Sequence, residues 1–89
     1  MRLNPLAVKE EIPTLGSNIS NATVFSVLNN SGAPCQIRID NGDITDPEIA
    51  LATGERVVIV KEPDSDVYAE DLTGSAVANV FATKVAYEG

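Results

Sequence analysis

The sequence predicts an all-β fold, a small antiparallel β-sandwich or barrel of about seven strands with an extended N-terminal arm. Three observations carry that expectation. Val57, Val58, Ile59 and Val60 are four consecutive β-branched residues, which suit a pleated, packed strand better than a helix. Turn signals recur at intervals of about ten residues, among them Asn41-Gly42, Thr53-Gly54 and Pro63-Asp64. No window repeats its apolar residues at helical spacing. The stretch Glu48–Ala69 holds three apolar runs separated by two of those turns. It reads as a hairpin core to which the other strands are added.

Taken in order, residues 1–21 read as an arm and residues 22–89 as one β domain. Leu3, Leu6, Ala7, Val8, Ile12 and Leu15 are scattered among Pro5, Pro13, charges and Gly16 without a period. Leu6–Lys9 suits a short edge strand, or an extended segment lying on a neighbouring subunit. On the second reading, deleting residues 1–16 weakens assembly more than folding. Ser17–Asn21 is a polar loop, and Ala22–Leu28 is the first full strand. The cluster Asn29–Pro34 turns the chain. Cys35, Ile37 and Ile39 then alternate with Gln36 and Arg38, so the cysteine side of that strand faces inward.

Asn41-Gly42 tolerates positive φ at both positions and marks a hairpin, with Ile44 opening the return and Pro47 bending it. A second tight hairpin is expected at Thr53-Gly54, between Ile49–Ala52 and Glu55–Glu62. The latter is the most apolar strand and is expected at the centre of a sheet, buried on both faces. Pro63 suits the second position of a type I turn. Val67–Ala69 is a short strand, Asp71–Gly74 turns again, and Ala76–Tyr87 is the last and longest strand. Its odd face carries Val77, Phe81, Val85 and Tyr87; its even face carries Ala76, Ala78, Val80, Ala82 and Ala86. Small side chains on one face admit either an opposing sheet or another subunit.

The totals bound what such a domain does. Eighty-nine residues make one domain with one modest core and no bulk for a deep substrate cleft. An apolar content of 44% with mean hydropathy near zero places the chain among globular proteins. With two Phe, two Tyr and no Trp, the core is aliphatic and thinly anchored, which favours help from an assembly. Six basic against thirteen acidic residues give a net charge of −7, which repels phosphate backbones and anionic membranes, so neither nucleic acid nor membrane is an expected partner. Met1–Ser20 lacks the apolar segment of a secretory signal, and no run reaches the ~18 apolar residues of a membrane helix. The expected product is soluble and made in a cytoplasm, so the glycosylation-like triplets at Asn18, Asn21 and Asn29 carry no weight.

Chemistry is sparse. The sequence has no histidine, which excludes His-based triads and His-ligated metals, and one cysteine cannot hold zinc. Cys35 sits in an apolar strand pattern as an inert buried thiol. The glycines are isolated at turns and form no phosphate loop. Side-chain oxygens cluster at two bends, the carboxylates Asp40, Asp43 and Asp46 with the amide Asn41 at one and the carboxylates Glu62, Asp64 and Asp66 at the other. Calcium would want several such oxygens on one folded loop, but acidic turns ordinarily just face water. The expectation is therefore no enzyme, no catalytic residue, no cofactor and no metal.

Leu51, Gly54, Glu55, the run Val57–Val60, Lys61, Pro63, Asp66 and the terminal aromatic Tyr87 form a pattern that resembles small virion proteins of tailed bacteriophages, particularly marine and cyanobacterial phages. It covers the C-terminal half, from Glu48 onward. The resemblance implies a structural virion component, above all a capsid decoration or cement protein present in many copies. The implied partners are the major capsid protein or other virion proteins, with further copies of the chain itself. The implied location is the virion. The candidate contact residues are Leu3, Leu6 and Val8 on the arm and Ala78, Ala82 and Ala86 on the last strand. A neck or tail component is the rival within that class. A carbohydrate- or receptor-binding sandwich using Tyr68 and Tyr87 is the rival from another class, and a calcium-binding module ranks below it.

Overall fold

Strands with one apolar face must lay that face on another sheet, and this requirement, more than the turn residues, decides which strands pair here. The computed structural model describes residues 2–42 and 45–88. Among these residues eight strands appear: β1 Arg2–Pro5, β2 Glu10–Glu11, β3 Val24–Asn29, β4 Cys35–Asp40, β5 Glu48–Leu51, β6 Arg56–Val60, β7 Asp66–Asp71 and β8 Val80–Glu88. All pairings are antiparallel. One sheet runs β1-β8-β3-β6, with β2 also on β8, and the other runs β5-β4-β7. The architecture is the expected all-β sandwich, without a helix among the described residues.

The core lies between the sheets. Phe25 and Val27 of β3, with Val80 and Ala82 of β8, meet Cys35 and Ile37 of β4, Leu51 of β5, and Val67 and Ala69 of β7. The expected alternation of β4 holds. Cys35 and Ile37 are fully buried, and Gln36 and Arg38 turn outward to one another's neighbours. Burial raises the Cys35 thiol pKa, which keeps it protonated and inert.

Three expectations about pairing change. First, Glu48–Ala69 is not a hairpin core. β5 pairs with β4, β6 with β3, and β7 with β4, so the Thr53-Gly54 and Pro63-Asp64 turns carry the chain from one sheet to the other. Strands on opposite layers bury their apolar faces against each other, whereas a flat hairpin would leave one face open. Second, β6 is an edge strand rather than a central one, and Val60 is 71% exposed. Its apolar run reflects an inner face on the core and an outer face without a covering layer. Third, β8 begins at Val80, not Ala76. Asn79 sits at φ 65° and breaks the strand, while Ala76 bridges to Glu70. At Asn41-Gly42 the return strand starts only at Glu48, so the connection is longer than a two-residue hairpin; Asp43 and Ile44 lie outside the described residues.

Residues 2–21 are built into the sandwich. β1 pairs with the far end of β8, Arg2 to Pro5 opposite Glu88 to Val85. The Leu6 N–H donates to the Lys84 carbonyl at 2.8 Å, and Glu10 is already opposite Ala82, so Ala7–Lys9 bulge out of the ladder. Ile12 and Ile19 enter the core, 3% and 1% exposed. Between them Ser17 and Val67 exchange backbone bonds and cap the β7 edge. The scattered apolar residues that suggested an arm are thus divided. The isoleucines go inward, and Leu6, Val8 and Leu15 stay on the surface.

Candidate functional site: an apolar rim and a sheet edge

The contact residues inferred from the sequence separate into three groups. Leu3, Leu6 and Val8 lie along the β8 rim and are 37%, 51% and 87% exposed. The bulge is what lifts Val8 out of the ladder. Ala82 is only 1% exposed, among the core residues opposite Val27, so no partner can reach it. The even face of β8 therefore meets the opposing sheet, the first of the two roles open to small side chains. Ala78 is exposed but precedes β8, and Ala86 is half-buried beside Asn4. The surviving surface is the N-terminal rim.

A second surface was not foreseen. Among the described residues no further strand or helix covers the outer face of the five-stranded sheet. Val24, Leu28, Val58, Phe81 and Thr83 are half-buried on it, beside exposed Val60. Two cations fringe it: Lys9 lies 5.5 Å from the Phe81 ring centroid, and Arg56 donates to Ser26 Oγ at 3.0 Å. Placing β6 at the centre of a sheet hid this surface. The signal that reveals it is Val58-x-Val60 on one face, with Arg56 and Glu62 as its ends.

Between the β5 and β6 edges the two sheets splay into an open groove of about 600 Å³, lined by Ile37, Ile39, Ile49, Ile59, Pro47 and Lys61 among others. Lys61 is buried at its floor, with its ammonium donating to the Glu62 and Pro63 carbonyls at 3.0 and 3.2 Å. Desolvation pulls the Lys61 pKa down, opposed by the charges of Asp66 and Asp64.

The opposite sheet shows a polar face. Arg38 pairs with Asp46 at 2.7 Å and Glu70 at 3.1 Å, and Gln36 bridges Glu48 and Glu70. The bond to Asp46 is the leading cause that raises the Arg38 pKa, with desolvation opposing it and Glu70 adding to it. The guanidinium lies 4.1 Å from the Tyr68 ring centroid, while Gly16 packs so closely on that ring that a Cβ there would stand 2.7 Å from it. Tyr68 is thus engaged from within the chain. Tyr87 pairs with Leu3 through its backbone, and its side chain lies outside the described residues.

The two acidic bends meet: Asp40 is opposite Asp66, and with Asp64 they flank one shallow cleft. Asp46 turns away to Arg38. Among the described residues no three acidic or sulfur ligands converge as a metal site would require, and no helix is long and apolar enough to cross a membrane. Comparison with known protein families, curated proteins and solved structures finds no match for this chain.

Proposed function

We propose that the chain is a non-enzymatic structural component of a phage virion, a capsid decoration or cement protein that stabilises the head by bridging neighbouring capsid subunits. The observation that supports this reading is the apolar rim. Leu3, Leu6 and Val8 are exposed on the rim of an otherwise acidic domain, while Ile12 and Ile19 of the same segment are buried. Exposed aliphatic side chains on a strand edge suit burial against a flat protein surface. Many copies on one shell turn individually weak contacts into firm attachment. A net charge of −7 keeps free copies soluble before they attach.

Cryo-EM of the particle that carries the chain tests the proposal. Copies are expected in a lattice over the head, with the N-terminal rim against the capsid. A single ring below the portal assigns the chain to the neck or tail instead. Absence from purified particles removes the virion reading.

A further inference from the structure

We infer that β6 is a self-pairing edge, joining antiparallel to β6 of a second copy about a twofold axis at Ile59. This goes beyond the virion reading and stands or falls separately from it.

The argument begins with what the other sheet edges do. An unpaired edge strand is a template for unwanted pairing, and proteins blunt it with prolines, charges, bulges or covers. The β1–β2 side carries Pro5, Glu10, Glu11 and the Ala7–Lys9 bulge. β5 is four residues long and follows Pro47. β7 is capped by the bridges Ser17–Val67 and Ala76–Glu70. β6 alone has none of these devices: Arg56-Val57-Val58-Ile59-Val60 is free of proline, bulge and interior charge.

Backbone parity then fixes what the edge offers. The Lys61 N–H donates to the Thr23 carbonyl, and Glu55 accepts from Asn29, so odd-numbered residues of β6 face β3. The N–H and C=O groups of Arg56, Val58 and Val60 therefore face away from the sheet. Of the registers compatible with that parity, the one centred on Ile59 sets Arg56 opposite Glu62 of the second copy, twice by symmetry. It sets Val58 opposite Val60, where both backbone bonds are exchanged. Arg56 and Glu62 are both exposed, and neither forms an ion pair among the described residues. Glu62 precedes Pro63, which holds it extended, so its N–H reaches the Arg56 carbonyl. Charge complementarity at both ends, with an apolar centre, is what an isologous contact requires. Pairing also joins the exposed Val60 side chains to Val58 across the axis and narrows the groove beside Ile59.

Sedimentation equilibrium of the full chain from about 1 μM to about 0.5 mM tests this, with an expected dissociation constant in the range of about 10 μM. The mass should rise from 9.4 kDa toward twice that value. Val58→Pro removes an N–H that β3 does not use, so the variant should melt as the parent does and sediment as one chain. Should it fold poorly, Glu62→Arg serves instead: it sets like charges opposite each other and should weaken dimerisation about tenfold or more. The double exchange Arg56→Glu/Glu62→Arg should restore most of that loss, an outcome that only this register explains. A single-chain mass throughout overturns the inference and leaves β6 to a strand of a different protein. A dimer unmoved by the charge reversal overturns it equally.

Discussion

Asn29 is the polar residue this fold can least spare. It is fully buried at the end of β3, and its Nδ2 donates to the carbonyls of Ala33, Leu51 and Ala52, while Oδ1 accepts from the Ser31 backbone and hydroxyl. One amide thus ties together two of the connections that cross between the sheets, Asn29–Pro34 and Ala52–Glu55. Asn29→Leu fills the space but strands those carbonyls, and an expected loss of about 2–4 kcal/mol follows, measured by urea unfolding. Asp71 does similar work in the open. Its Oδ1 accepts from the Thr73 hydroxyl and from the N–H groups of Thr73 and Ser75. The Thr73 hydroxyl bond leads the causes that lower the Asp71 pKa, with the Ser75 and Thr73 amides following. A lowered carboxyl pKa means stabilisation that is complete above the unfolded value and lost as pH falls through the folded one. Melting temperature should therefore fall as pH drops below the ordinary aspartate range. Asp71→Asn should melt lower at neutral pH and show a shallower acid decline.

At the scale of elements, the N-terminal segment reverses an expectation. Deleting residues 1–16 takes away β1, β2 and the buried Ile12, and bares the β8 edge away from β3. Loss of one buried isoleucine alone costs about 2–5 kcal/mol, so the truncated chain should lose cooperative melting by circular dichroism, where a detachable arm would leave it intact. The reason the sequence misled here is physical. Periodicity cannot register a strand that is interrupted by a bulge, and Pro5 and Pro13 are as compatible with an edge strand as with a tail. The alternation of Cys35, Ile37 and Ile39 was legible because β4 is central in its sheet and has one wet face. β6 was misplaced because four β-branched residues look alike at an edge and at a centre; only its pairing partner tells them apart. Turn residues were located correctly at Thr53-Gly54 and Pro63-Asp64, but a turn motif does not say whether the chain returns to its own sheet or crosses to the other. Of the candidate residues, the exposure of Leu3, Leu6 and Val8 is legible in their setting among prolines, whereas the small side chain of Ala82 serves core and interface equally well until the opposing sheet is in view.

For the whole molecule, the two sheets present unlike faces, and this decides how attachment should respond to conditions. The β5-β4-β7 face gathers Asp46, Glu48 and Glu70 around Arg38 and Gln36, while Leu3, Leu6, Val8 and Val60 are exposed on the rim and outer face of the other sheet. A chain carrying −7 that docked through its acidic face would bind a cationic surface and release as salt rises. Docking through Leu6 and Val8 would instead be held by apolar burial, and added salt would screen repulsion between neighbouring copies. On the proposed role as a virion component, occupancy on the particle is accordingly expected to hold steady or rise between low and moderate salt. Leu6→Ser with Val8→Ser removes up to about 3–6 kcal/mol of burial per copy when both side chains are fully covered. Because both are exposed in the free chain, its melting temperature should shift by no more than about 4 °C. Occupancy counted from particle images or by densitometry should fall several-fold in that variant. Unchanged occupancy, or release by salt alone, would place the contact on the acidic face instead.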